Sequence, residues 1–128
     1  MQNNPEVEQV VEAAVKLARD KGQEYVLTEH LLLGMIRHVP FRRVVEKFGA
    51  DADLLDLELD AYLDSQVNLV SSVKDFQPRK TQALERIFNR ANVQVMFTGR
   101  RGMSVIDVYL SIMAETNSHA HYLSLIHI

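Results

Sequence analysis

The residues of this chain that could do chemistry are few, and their spacing argues against most of it. Glu29-His30 resembles the start of a zinc-binding helix, but the position four residues after His30 is Gly34, so the second ligand is missing. His30 is read instead as a half-buried structural residue bonded to a backbone group or a carboxylate. His119 and His121 are two apart, which on a helix points them to different sides, whereas paired helical ligands favour spacings of three or four. The five glycines form no phosphate-binding loop, and no serine sits in a Gly-x-Ser-x-Gly elbow. With no cysteine, disulfides, zinc–thiolate sites and thiol chemistry are excluded. No catalytic constellation or metal site is expected, and the chain is read as a non-enzyme.

The elements that would carry any site repeat at an offset of 77 residues. The stripe Val7, Val10, Val11, Ala14 and Ala18 recurs as Leu84, Ile87, Phe88, Ala91 and Val95. Gly22 lands on Gly99, and Val26, Leu31, Leu32, Leu33, Met35 and Ile36 land on Met103, Val108, Tyr109, Leu110, Ile112 and Met113. Spacings of three and four mark one face of a helix, and a second copy marks a repeated helical unit. Neither unit is large enough to bury its apolar face alone. The predicted fold is therefore all-α, with two pseudo-symmetric four-helix repeats packed as one domain: repeat 1 at 1–65, a connector at 66–79 and repeat 2 at 80–128.

Local signals set the predicted helix limits. Asn4 caps helix 1, Pro5 opens it, and Gly22 closes it after about Lys21. Thr28 caps helix 2, which runs from Glu29 to Arg37; Pro40 opens helix 3, which ends at Gly49. Asp51 or Asp53 caps helix 4, which carries Leu54, Leu55, Leu59 and Tyr62 to about Ser65. The stretch from Gln66 to Arg79 alternates loosely and could pass for a short strand, but is read as the connector. Thr81 caps or begins helix 5, which reaches about Phe97. Gly99 to Gly102 form a turn, Ser104 caps helix 6 to about Glu115, and helix 7 starts near Ser118 or His119. An offset of 77 puts the partner of helix 4 beyond residue 128, so the second repeat is expected to lack its last helix, with Leu123, Leu125 and Ile126 short of a cover.

Bulk properties add limits. The chain has 128 residues, 47% of them hydrophobic, which suits one domain with a real core. Its net charge of −3 is uneven: residues 1–65 carry 13 acidic and 7 basic side chains, and residues 66–128 carry 4 and 7. The acidic half is either an ordinary solvated face or a surface that receives a basic partner. There is no dense Lys/Arg stripe for nucleic acid, no signal peptide visible in the opening residues, and no apolar run near the roughly 20 residues of a membrane span. With no heptad seam, the chain is expected to be a monomer, and the lack of cysteine suits the cytoplasm.

The stretch from Glu24 to Ile36, with Thr28-Glu29-His30-Leu31-Leu32-Leu33-Gly34 at its centre, resembles the signature helix of the Clp N-terminal domain. That domain is itself a tandem repeat of four-helix units. The residues Gln77-Pro78 through Arg86, Arg90-Ala91 and His121-Tyr122-Leu123 resemble the ClpA branch. So does the second copy, where Val105-Ile106-Asp107-Val108-Tyr109-Leu110 replaces the signature that the ClpC branch keeps. The resemblance implies a non-catalytic recruitment domain ahead of two AAA+ modules, where ATP and Mg would bind; the fragment itself takes no cofactor. It implies a ClpS-like adaptor, protein substrates and, through the parent protein, a ClpP-type peptidase as partners. Family adaptor contacts carry over to Glu24, Glu29 and Thr81, with Arg79-Lys80 standing between Pro78 and Thr81. Without the resemblance, Glu29 reads as a carboxylate at a helix start, Thr81 as an N-cap and Glu24 as a loop residue. The alternatives are direct capture of unfolded substrate, as in the ClpB or ClpC branches, through an exposed apolar groove between the repeats, or a free-standing helical adaptor.

Overall fold

A computed structural model describes residues 2–72, 75–100 and 102–115. The first helix, α1 (Pro5–Asp20), starts where the Asn4 side chain accepts a hydrogen bond from the Glu6 amide at 2.8 Å. It ends where Gly22, at φ +71°, turns the chain so that the Gln23 amide donates back to the Ala18 carbonyl. Helix α5 (Gln82–Phe97) closes in the same way, with Gly99 at φ +73° and the Arg100 amide on the Val95 carbonyl. Between them lie α2 (Thr28–Ile36), α3 (Val39–Lys47) and α4 (Ala52–Asp64), and α6 (Val105–Met113) follows.

The limits of α1 and α5, and of α2 and α6, differ by the same 77 residues. Each repeat also contributes two short strands, β1 (Gln2–Asn3) and β2 (Tyr25–Val26) from the first, β3 (Arg79–Lys80) and β4 (Gly102–Met103) from the second. Their pairing is exchanged: β1 runs parallel to β4, and β2 runs parallel to β3. These ladders were not expected from the sequence. They tie the strand before the first helix of each repeat to the strand before the second helix of the other, as a pseudo-twofold axis requires. The stretch read as a connector folds into a short 3-10 turn at Val67–Leu69, and Val70 bridges back to Gln23.

Helix α2 is the centre of the core. All nine of its residues are buried, and it packs against α1, α3, α4 and α6. Gly34 is where α1 comes closest: a Cβ there would stand 3.1 Å from the Val10 carbonyl oxygen and 3.4 Å from the Ala14 nitrogen. The equivalent position in α6 is Ser111, whose hydroxyl donates to the Ile87 carbonyl at 2.7 Å, so the second repeat fills the same gap with a hydrogen bond. Gly34→Leu should therefore force α1 and α2 apart, and is expected to cost roughly 1–3 kcal/mol or more by chemical denaturation. An unchanged unfolding midpoint would show that the helices are not in contact there.

Several expectations are corrected. The N-cap of α2 is Leu27; Thr28 is the first helical residue and is buried. Asp51, not Asp53, caps α4, accepting from the Leu54 amide at 3.0 Å. Helix α6 ends at Met113, short of Glu115. Leu33 is fully buried, but its partner Leu110 is 60% exposed, because α4 covers α2 and no counterpart of α4 covers α6 among the described residues. The predicted helix 7, the tail around Leu123 and the pair His119 and His121 lie outside the described residues.

Candidate protein-docking site

The β2–β3 ladder ties together the segments that carry two of the three predicted contact residues, Glu24 at one end and Thr81 at the other, 57 positions apart in sequence. The Arg79 amide donates to the Glu24 carbonyl at 2.7 Å. At the other end, the Thr81 amide and hydroxyl both donate to the Val26 carbonyl, at 3.3 and 3.0 Å. Thr81 occupies the N-cap position of α5, but its hydroxyl crosses the ladder and makes no bond to the helix amides. Glu24 is half-buried on the wall of a cleft of about 540 Å³, together with Tyr25, Ser71, Phe76, Pro78 and Arg79. Tyr25 is 40% exposed and offers an aromatic face beside the carboxylate.

Glu29 is placed differently. It lies on the first turn of α2, where the helix dipole favours a carboxylate, and it is only 6% exposed. Burial raises the Tyr62 phenol above its ordinary pKa, and the nearby charge of Glu29 adds to that shift. Glu24 and Thr81 are both half-buried, and Glu29 is the most buried of the three. Arg79, Tyr25 and Phe76 were not singled out from the sequence. The one signal that could have found Arg79 is the offset, which aligns Arg79-Lys80 with Gln2-Asn3 ahead of a capped helix.

A buried polar chain holds the start of α2 in place. His30 Nδ1 accepts from the Leu27 amide at 2.8 Å, which puts the ring proton on Nε2, where it meets Gln23 Oε1 at 2.6 Å. The Gln23 amide then donates to the Leu63 carbonyl at 2.6 Å. His30 is fully buried, not half-buried, and desolvation, helped by the Lys21 charge, lowers its pKa to about 4. Both ring nitrogens are in use, so His30 has neither a free lone pair for a metal nor one for a substrate proton. The second repeat builds the same device from other chemistry. Asp107 accepts from the Ser104 amide at 2.8 Å and from Arg100 at 2.6 and 3.0 Å. Burial pushes the Asp107 carboxyl up, but the bonds from Arg100 and Ser104 outweigh it and hold the group below its ordinary value.

Much of the acidic half is neutralised internally. Lys21 pairs with Asp60 and Asp64, Arg37 with Asp56, and Arg42 with Asp53. Among the described residues, no three His, Asp or Glu side chains gather closely enough to hold a metal ion, and no helix is long and apolar enough to cross a membrane. The arrangement offers surface, charge and hydrogen bonds, which suits recognition of another protein.

Residues 3–125 match the Clp repeat (R) N-terminal domain family. A ClpA homolog protein from Fuscovulum blasticum is 32% identical over 117 residues, which is 91% of this chain and 15% of that relative. The chain thus spans under a fifth of the length of the relative it matches.

Proposed function

We propose that this chain, which belongs to the Clp repeat (R) N-terminal domain family, is the adaptor-docking module of a ClpA-type unfoldase. In this reading a ClpS-like adaptor binds across the β2–β3 ladder, with Glu24, Glu29 and Thr81 among its contacts. It delivers protein substrates to AAA+ modules elsewhere in the parent protein, which use ATP and Mg and pass the unfolded chain to a ClpP-type peptidase in the cytoplasm. The observation that supports it most is the ladder itself, which ties the segment around Glu24 to the segment that carries Arg79 and Thr81. Thr81, its hydroxyl and amide both turned to Val26, would meet the adaptor through its methyl group.

Glu24→Lys is the test. Placing a cation opposite a basic or donor-rich adaptor should cost roughly 2 kcal/mol, about 30-fold in Kd by calorimetry, with a larger penalty at low salt. Stability should shift by no more than about half a kcal/mol, because Glu24 lies outside the hydrophobic core and its backbone bonds are kept. Glu29→Lys would confound binding with folding because the site is buried, so Glu29→Gln is the informative partner variant. Unchanged affinity for Glu24→Lys at low salt would remove the ladder edge from the site. A second reading, direct capture of unfolded polypeptide, is favoured by one observation, an open groove of about 730 Å³ between α1 and α5.

A further inference from the structure

The groove between the two repeats has an apolar floor and acidic walls. Val11 of α1 and Phe88 of α5, both half-buried, are its open apolar surface, over the buried Val7, Leu84 and Met103. Glu8 and Glu12 stand on one wall and Glu85 on the other. Glu8 and Glu85 are equivalent positions of the two repeats, so the pseudo-twofold axis sets a carboxylate on each side of the same cleft. All three are exposed and make no ion pair among the described residues, whereas four aspartates of the α4 segment are engaged by Lys21, Arg37 and Arg42. Glu8 and Glu12 are also one helical turn apart, where like charges repel. Asn92 lines the same groove, and its Oδ1 is buried without a hydrogen-bond partner. Lys80 closes one end, beyond which Lys16 and Arg19 are already held by Asp20 and Gln77.

We propose that this groove binds a cationic, apolar polypeptide segment, one in which lysines or arginines alternate with aliphatic or aromatic residues. The apolar side chains cover Val11 and Phe88. The cations sit between Glu8, Glu12 and Glu85, which relieves the repulsion among those carboxylates. The groove is lined from Val7 to Glu12 on α1 and from Leu84 to Asn92 on α5, roughly 12 Å of helix, which about four extended residues span. Strand β3 separates this site from the adaptor cleft, because Arg79 lines the cleft and Lys80 lines the groove. The inference rests on the direct-capture reading and names the class of segment captured.

The test uses the full chain and three dye-labelled peptides of about eight residues, followed by fluorescence anisotropy. One contains lysine and leucine, the second replaces lysine by glutamate, and the third replaces leucine by serine. The lysine–leucine peptide should bind at least tenfold more tightly than either of the others and weaken as salt is raised. The variant Glu8→Gln/Glu12→Gln/Glu85→Gln should lose that preference at least tenfold while keeping its melting temperature, since all three positions are exposed. Equal binding of the glutamate–leucine peptide would overturn the proposal and leave direct capture standing. Binding of no peptide would overturn both. Retained affinity in the triple variant would place the cations elsewhere and also overturn it.

Discussion

Replacing Leu32 by alanine should destabilise the domain by about 2–5 kcal/mol. Leu32 is fully buried in the middle of α2, whose every residue is inside, and four other helices pack around it. Removing three carbons there takes away apolar burial and leaves a cavity that none of those helices can close without moving. Its repeat partner Tyr109 has a different task. It is half-buried and meets the ring of Phe41 from α3 at a centroid distance of 5.3 Å and an angle of 56°, across the junction of the two repeats. Tyr109→Ala should therefore cost less than Leu32→Ala. Urea unfolding of both variants checks the order, and a Leu32→Ala midpoint equal to that of the parent would contradict the core assigned to α2.

The second large effect is on acid stability. His30 has a folded pKa of about 4 against an ordinary 6.5, so the unfolded chain binds the proton more readily than the folded one between those values. Stability from this group is therefore present in full above pH 6.5 and is lost as pH falls toward 4. The loss is about 2 kcal/mol at pH 5 and about 3 kcal/mol once the folded group has titrated. The cause is geometric: Nδ1 must stay unprotonated to accept from the Leu27 amide, and no carboxylate stands at Nε2 to receive a second charge. Asp107 and Glu115, both held below their ordinary values, add their losses at lower pH. His30→Gln should be less stable at pH 7 but show a flatter stability profile between pH 7 and 5. Parallel profiles for parent and variant would contradict a neutral His30.

The repeat was legible in the sequence because its signal is long. Sixteen-residue helices carry several turns of apolar spacing, and Gly22 and Gly99 end them with the same left-handed residue. The two ladders were not legible, since a strand of two residues has no period to read and its partner lies more than 50 positions away. The start of α2 was misplaced by one residue for a similar reason. Thr28 carries the ordinary capping chemistry, but His30 reaches back to the Leu27 amide and makes Leu27 the cap. Glu29 shows the limit most clearly. A carboxylate between a threonine and a histidine at a helix start reads as surface, and only the packed fold shows that it is buried.

The proposed docking edge is tested most directly by hydrogen exchange on the full chain with and without a ClpS-type adaptor. The account predicts added protection of the amides from Glu24 to Glu29 and from Arg79 to Thr81, with little change along α3 and α4. Protection confined to α1 and α5, or none at the β2–β3 ladder, would contradict it.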